Sequence, residues 1–161
     1  IADGIQTVIP LYGEKYINEM KKSLSRYPEE LALKLSERYL RFGPFDELRY
    51  RFQKEDNIIW AKDVISIYVK RLLGTLLGVN RKYMPGDFRK ISYVIEKLEH
   101  KPENLYKRIL ELYNQSPKDI IEELFELIID VFSIVEKYLP EFDISKKKEL
   151  FLKPQKAFEE K

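Results

Sequence analysis

The sequence lacks cysteine altogether and contains a single histidine, His100. The absence of cysteine excludes disulfides, thiolate catalysis and cysteine-based zinc sites. A catalytic triad or a histidine-rich metal site would have only His100 to draw on. Because this residue lies in a Glu-His-Lys-Pro connection between two predicted helices, we interpret it as an exposed loop residue rather than a metal ligand.

Long hydrophobic runs and an excess of charge are also missing. The most apolar segment, 124–135, is interrupted by Glu126 and Asp130, whereas a membrane-spanning helix needs about 18 consecutive apolar residues. The 29 Lys and Arg residues are nearly balanced by 27 Asp and Glu residues. The resulting net charge of +2 gives no basic footprint for nucleic acid. We therefore expect neither a membrane nor a nucleic acid as partner.

The start of the sequence shows no initiator methionine and no basic segment before an apolar stretch. These features favour a fragment of a cytoplasmic protein over a chain that carries a signal peptide. Lysine, glutamate, isoleucine and tyrosine are abundant, and there are only two methionines. This bias is typical of proteins from thermophiles.

The composition that remains is that of a globular domain. The 161 residues are 44% hydrophobic and 35% charged, which is enough to bury one core. Apolar residues recur at helical spacing, and no segments alternate as paired strands would. We divide the chain into an extended arm over 1–12, a helical bundle over 13–140, and a short helix with a charged tail over 141–161.

Prolines and glycines delimit the helices of the bundle. We predict helices over 14–26, 28–42, 45–52, 57–83, 88–98, 102–112 and 117–139, the last with Ser116 as its cap, followed by a short helix over 146–152 capped by Ser145. The residues of the second helix predicted to face the core are Leu31, Leu35, Tyr39 and Phe42. The predicted fold class is all-α: a helical bundle of about six to seven helices with a short extended N-terminal arm.

The longest predicted helix, 57–83, is the centre of this bundle. Apolar residues cover more than half of its circumference, a pattern typical of a helix surrounded by others. We predict that Leu72 and Leu76 are nearly inaccessible. Gly74 and Gly78 each cost about 1 kcal/mol relative to alanine inside a helix. They indicate either that a neighbouring backbone comes close or that the helix bends.

The end of the central helix carries the first group of candidate site residues, Asn80, Arg81 and Tyr83. Asn80 and Arg81 follow a heavily buried face, so the guanidinium would lie at the edge of the core and need partners. Two interpretations remain open. Either Asn80 caps the helix and Arg81 pairs with a carboxylate of a neighbouring helix, or the exit contacts a substrate, a nucleotide or a catalytic domain.

A second candidate cluster, Tyr50, Arg51 and Asp56, precedes the central helix. It is either an exposed loop with Asp56 as a helix cap or a second contact surface. About 24 residues separate Asp56 from Asn80, or roughly 36 Å along a straight helix. The two clusters therefore cannot share one small-molecule site unless the helix breaks at its glycines.

The exit Asn80-Arg81-x-Tyr83-x-Pro85 resembles a feature of the C-terminal helical domain of kanamycin nucleotidyltransferase-like proteins. In that family a long helix ends in the same pattern, behind a catalytic domain. The family then usually has a lysine three residues past the proline. Here Phe88 stands at that place, so the sequence departs from the family pattern there.

Two earlier motifs are similar to the family in order and spacing. Pro28, in Arg-Tyr-Pro-Glu-Glu-Leu, resembles the Tyr-Pro step between the first helices of the domain. Tyr50-Arg51 followed by Asp56 resembles a Tyr/Arg…Arg-x-Asp segment, although Lys54 stands where the arginine is expected. With the exit, these motifs extend the resemblance over most of the chain.

The resemblance implies an accessory function. Activity in this family belongs to a Gly-Ser motif and an Asp-x-Asp pair that hold metal-bound nucleotide, and the sequence contains neither. We expect no catalytic residue, metal or cofactor, and no enzyme activity of the chain by itself, although the parent protein would be a nucleotidyltransferase. The implied role is to close the substrate cleft of a catalytic domain or to mediate dimerisation. The alternative is a stand-alone helical protein-interaction module.

The aromatic content supports a docking role. The sequence contains 11 Tyr, 9 Phe and 1 Trp, more than the helical stripes use. Aromatic side chains are favoured at interfaces because they bury large areas with few rotors to freeze. We therefore predict an exposed aromatic patch for a catalytic domain or a second copy of the chain. Its candidate members are Tyr12, Tyr16, Phe45 and Tyr106.

Overall fold

The computed structural model describes residues 4–5, 8–54, 57–86 and 88–154. The helices are α1 (Glu14–Leu24), α2 (Glu29–Tyr39), α3 (Phe45–Lys54), α4 (Ile58–Val79), α5 (Ile91–Glu96), α6 (Leu105–Asn114), α7 (Pro117–Tyr138) and α8 (Ser145–Leu152). Within the described ranges there is no strand. The prediction of an all-α helical bundle is confirmed.

The central helix α4 begins and ends with defined caps. The side-chain oxygen of Asn57 accepts a hydrogen bond from the amide of Trp60 at 3.0 Å, so this residue starts the helix. The helix ends at Val79, four residues before the predicted end. It packs against α2, α6 and α7. Leu72 and Leu76 are both 0% exposed, as predicted for the middle of the bundle.

The two glycines of α4 mark its close approach to α2. A Cβ at Gly78 would lie 3.1 Å from the carbonyl oxygen of Ala32, and a Cβ at Gly74 would enter the ring of Tyr39. The prediction of a close neighbour is confirmed. The glycines do not break the helix, which is continuous from Ile58 to Val79.

The buried face of α2 is rotated by one residue from the predicted face. Its buried residues are Ala32 and Ser36, whereas Leu31 and Leu35 are only half-buried. The physical reason is the close approach itself, because helix axes this near to each other leave room only for small side chains between them. Leu31 and Leu35, which were predicted to face the core, are therefore only partly buried, although the Cβ of Leu35 lies 3.1 Å from the place that a Cβ at Gly78 would take.

The other end of the core is built from phenylalanines around α8. The ring centroid of Phe151 lies 5.2 Å from that of Phe45, 5.5 Å from Phe125, 5.4 Å from Phe132 and 6.1 Å from Phe42. Phe42 is buried, as predicted. Phe45 is 2% exposed, so its assignment to an exposed patch was wrong. The short C-terminal helix thus closes the core.

Several boundaries differ from the sequence pattern. Helices α5 and α6 begin at Ile91 and Leu105, three residues later than predicted. Helix α7 begins at Pro117 as expected, but the hydroxyl of Ser116 donates to the carboxylate of Asp119 at 2.6 Å instead of capping a backbone amide. The serine therefore orders the turn through a side-chain contact.

The first described residues of the N-terminal arm are helical rather than extended. Gly4 and Ile5 are helical, and the amide of Val8 donates to the carbonyl of Gly4 at 3.0 Å. A short segment without a partner strand satisfies its backbone groups locally, which favours a helical turn. The predicted extended arm is wrong at these residues. Its residues 1–3 and 6–7, and the charged tail over 155–161, lie outside the described ranges.

Candidate functional site

The exit of α4 is a Schellman motif, a helix end with two reversed backbone hydrogen bonds. The amide of Arg81 donates to Gly78 at 3.0 Å, and the amide of Lys82 donates to Leu77 at 2.9 Å. Arg81 has a φ of 52°, in the left-handed region that glycine usually occupies at this position. The structure therefore holds an arginine where the backbone geometry favours glycine.

The side chain of Arg81 pairs with Glu29 at the start of α2. Its Nε lies 2.9 Å from both carboxylate oxygens, and its Nη2 lies 2.8 Å from one of them. The hydrogen bond from Arg81 lowers the pKa of Glu29, and the same bond raises the pKa of Arg81. The pair joins the end of the central helix to α2, its closest neighbour.

Asn80 clamps the connection that leads to α6. Its side-chain oxygen accepts from the amides of Glu99 and His100, both at 2.8 Å. Its side-chain nitrogen donates to the carbonyls of Leu76 and His100, at 2.7 and 2.8 Å. Four hydrogen bonds use the bonding capacity of the amide, so Asn80 ends the helix and fixes the loop.

Tyr83 lies against Tyr27, from the connection between α1 and α2. Their ring centroids are 5.0 Å apart and the rings are tilted by 49°. The hydroxyl of Tyr27 is buried and has no hydrogen-bond partner within the described ranges. The pKa of Tyr27 is raised to about 12, mainly by burial, with Tyr83 and Glu29 adding to the rise and Arg81 opposing it. Tyr27 therefore stays protonated at neutral pH.

Tyr27, Arg81 and Tyr83 line a cleft between the α1–α2 connection, the exit of α4 and α5. Its volume is about 290 Å³. We call it the tyrosine cleft, and its described lining residues are Leu24, Ser25, Tyr27, Leu77, Arg81, Lys82, Tyr83, Pro85, Tyr93, Val94 and Lys97. Tyr93 and Lys97 were missed by the sequence analysis, because a single helix pattern does not show that α5 folds back onto the exit.

The second predicted cluster does not join the tyrosine cleft. Arg51 pairs with Glu47 one helical turn away at 2.7 Å, and the ammonium of Lys54 lies 5.7 Å from the ring centre of Tyr50. Both contacts are local to the exposed side of α3. Asp56 lies outside the described residues. The unbroken α4 lies between this cluster and the exit, in line with the expected separation.

His100 is not the exposed loop residue expected from its position. It is half-buried, and its ring stacks on Tyr138 with centroids 3.7 Å apart and an interplanar angle of 11°. Among the described residues no group of three or more His, Asp or Glu side chains could hold a metal ion. In the structure His100 therefore joins the loop to α7.

An exposed apolar surface covers the N-terminal part of the chain. Tyr12, just before α1, is 97% exposed and Tyr16 is 71% exposed, and Met20 lies one helical turn after Tyr16 and is 50% exposed. Ile9 and Leu11 precede it and are also exposed. We call these five residues the N-terminal apolar surface.

Helix α1 has no partner for this surface among the other described helices. It buries none of its own residues, and no extensive helix–helix contact involves it. Lys21 donates to the carbonyl of Val8 at 2.7 Å, which ties the preceding segment to the helix. Tyr106, the fourth predicted member of an aromatic patch, is partly exposed on α6.

The long ionic bridges were also missed by the sequence analysis. Arg49 of α3 binds Glu122 of α7 through two hydrogen bonds of 2.7 and 2.9 Å. Arg108 of α6 contacts Glu123 and Asp130 of α7. These pairs hold helices that are distant in sequence, and they belong to the scaffold rather than to a cleft.

Comparison with known proteins identifies one family. A model described as a domain of unknown function (DUF4037) matches residues 7–90, slightly more than half of the chain. The matched segment contains the N-terminal apolar surface, the central helix and its exit, and it ends before α5. No curated protein and no solved structure matches the chain. None of the helices in the described part is long and apolar enough to cross a membrane.

Proposed function

The chain belongs to the family of the domain of unknown function DUF4037, and we propose that it is a helical accessory domain. In this proposal the N-terminal apolar surface docks onto a nucleotidyltransferase-like catalytic domain and helps to close its substrate cleft. The observation that carries the proposal is the exposure of Tyr16 and Met20 on α1, and of Tyr12 just before this helix.

The exposure of five large apolar side chains at one end of the chain is unfavourable for an isolated domain. Monomers rarely expose contiguous apolar patches, and larger ones mark interaction sites. Tyrosine and methionine are enriched where proteins associate. The core of the bundle does not use this surface, because core residues such as Leu72 in the central helix and Phe151 in α8 are already buried by the other helices. The surface thus has a role outside the bundle.

The candidate polar groups support an accessory role rather than a catalytic one. Arg81 is engaged by Glu29, and Asn80 is engaged by the 99–100 backbone. Both side chains fix helices and loops of the bundle. A residue held in this way can shape the wall of a neighbouring cleft without taking part in bond making.

A second candidate function, dimerisation, is favoured by the charge order along α1. Glu14 lies in its first turn, and Lys21 and Lys22 lie in its last turn. Two copies of α1 packed antiparallel about a two-fold axis would place each glutamate near lysines of the other copy, while the stripe of Tyr16 is buried between them. Two-fold dimers are the commonest assembly of this kind.

The experiment begins with the gene that encodes the chain. A region with a Gly-Ser motif and an Asp-x-Asp pair, in the same reading frame or the adjacent one, is expressed as a separate tagged protein. It should retain this chain on an affinity column. Tyr16→Ser should weaken retention at least about tenfold, since a hot-spot aromatic contributes 1.4 kcal/mol or more. Tyr50→Ser, an exposed tyrosine on α3, is the matched control.

The outcomes separate the candidates. Retention that is lost with Tyr16→Ser but kept with Tyr50→Ser supports docking through the N-terminal apolar surface. Sedimentation equilibrium of the chain alone tests the dimer, which should dissociate in the same variant. A gene neighbourhood without the two motifs, together with a monomer at millimolar concentration, would contradict both candidates.

A further inference from the structure

We infer that the tyrosine cleft binds an aromatic organic anion, a flat ring system that carries one carboxylate or phosphate. This site is distinct from the N-terminal apolar surface, and it would function whether or not the domain docks elsewhere. The inference combines the charge of the lining, the aromatic walls and one unsatisfied polar atom.

The charge of the lining is positive. Arg81 is neutralised by Glu29, but Lys82 and Lys97 form no ion pair within the described part of the chain, and no carboxylate is among the described lining residues. Lys97 is held in place by the ring of Tyr93, with its ammonium 4.0 Å from the ring centre. Two ammonium groups beside a concave surface attract an anion.

The walls of the cleft suit a flat apolar body. Tyr27, Tyr83 and Tyr93 supply three aromatic faces, and Leu77 and Val94 supply aliphatic contacts. Aromatic rings pair favourably in tilted or offset arrangements, such as the one already present between Tyr27 and Tyr83. A volume of about 290 Å³ is at the small end of the range for ligand pockets. It fits a bicyclic ring with a short anionic group.

The unsatisfied atom is the hydroxyl of Tyr27. It is buried without a hydrogen-bond partner in the described structure, and such groups are rare in folded proteins because they are unfavourable. A tyrosine hydroxyl is protonated at neutral pH, so this group can donate a hydrogen bond. A small separation of Tyr27 from Tyr83 on binding would let it donate to an anionic oxygen.

The chemistry of the anion is tested with two ligands. Indole-3-acetate carries a carboxylate and 1-naphthyl phosphate carries a phosphate, so a preference between them identifies the anionic group. Indole-3-acetamide is the neutral control, and inorganic phosphate is the anion without a ring. Binding is measured by isothermal titration calorimetry at low salt and by the NMR signals of labelled tyrosine rings.

At least one of the two aromatic anions should bind with a dissociation constant on the order of 1 mM or below. If indole-3-acetate binds, its neutral amide should bind at least about tenfold more weakly, and if 1-naphthyl phosphate binds, inorganic phosphate should bind at least about tenfold more weakly. Lys97→Met and Tyr27→Phe should each weaken binding severalfold, while circular dichroism shows that both variants remain helical. Lys107→Met, at an exposed lysine of α6, is the matched control and should bind as the unmodified chain does.

Three results would overturn the inference. The first is that neither aromatic anion binds at a ligand concentration of about 10 mM, ten times the expected dissociation constant of about 1 mM. The second is that the aromatic anion that binds has the same affinity as its own control, the amide for indole-3-acetate or inorganic phosphate for 1-naphthyl phosphate. The third is an equal effect of Lys97→Met and Lys107→Met, which would place the anion on the general surface rather than in the cleft.

Discussion

The ring of Tyr39 lies so close to Gly74 that a Cβ at position 74 would be 2.4 Å from Cγ of the tyrosine and 2.6 Å from both Cδ atoms. Real Cβ atoms do not approach other atoms this closely. Because Cγ is bonded to Cβ, it can move away only if Tyr39 changes its χ1 rotamer inside the packed interface or if α2 shifts. The contact between α2 and α4 therefore depends on the absence of a side chain at position 74.

We expect Gly74→Ala to destabilise the bundle by about 1–3 kcal/mol, the usual cost of overpacking. This loss should exceed the gain of about 1 kcal/mol in helix propensity. The matched control is Gly43→Ala, where an added Cβ would meet nothing within 4 Å. Urea denaturation measures both variants. Equal stability of the two would show that the helices do not approach as closely as described.

The central position of α4 gives a second expectation. Leu72 and Leu76 are both fully buried, so truncation of either to alanine should cost about 2–5 kcal/mol. Ile67, on the exposed side of the same helix, is the matched control and should cost much less when truncated. Losses below about 1 kcal/mol at both leucines would remove α4 from the centre of the core.

Hydrophobic periodicity was sufficient to predict the helices and the central place of α4, because burial on all sides leaves a pattern within one segment. It did not predict which face of α2 is buried. From the sequence, Leu31 and Leu35 are better candidates for the core than Ala32 and Ser36. The smaller pair is buried because Gly78 of α4 packs against it.

The tyrosine cleft was predictable only in part. Its residues Arg81 and Tyr83 are close in sequence, and the polar residues after an apolar helix drew attention to them. Tyr27 precedes the exit of α4 by more than 50 residues and Lys97 follows it by more than 15. No local sequence pattern indicates that they meet. The left-handed backbone at Arg81 was also hidden, because the usual glycine signal for a helix end is missing there.

Asn80 should be important for stability through its four hydrogen bonds. Asn80→Ala leaves the amides of Glu99 and His100 without their acceptor, and we expect a loss of about 2–3 kcal/mol. Asn18→Ala, at an exposed residue of α1, is the matched control and should be nearly neutral. Hydrogen exchange of the 99–100 amides should accelerate in the first variant only. Unchanged exchange would mean that the loop is held by other contacts.

Arg81 allows backbone strain to be separated from the ion pair. Arg81→Ala and Arg81→Gly both remove the pair with Glu29, which is largely exposed, so its loss affects the two variants equally. Only glycine adopts the left-handed conformation without cost, so the glycine variant should be more stable than the alanine variant by about 1 kcal/mol. Glu29→Gln weakens the pair while leaving the backbone unchanged. Equal stability of the alanine and glycine variants would contradict the left-handed geometry.

The raised pKa of Tyr27 gives a pH dependence with a definite sign. This pKa is raised from 10.0 to about 12, mainly by burial, with smaller contributions from Tyr83 and Glu29 and an opposing one from Arg81. The unfolded chain therefore loses the proton of this tyrosine near pH 10, while the folded chain keeps it until about pH 12. Its contribution to stability is fully present below pH 10 and is lost as the pH rises towards 12.

Because other tyrosines and lysines also titrate in this range, the quantity to measure is the difference between the unmodified chain and Tyr27→Phe. The variant has no proton to lose at this position, so its free energy of unfolding should fall less between pH 9 and pH 11.5, in a window set by the pKa of about 12. Tyr12→Phe, at a side chain that is 97% exposed, is the matched control for the loss of one hydroxyl. If Tyr27→Phe loses as much stability as the unmodified chain over this range, then the hydroxyl of Tyr27 is not buried in the folded protein.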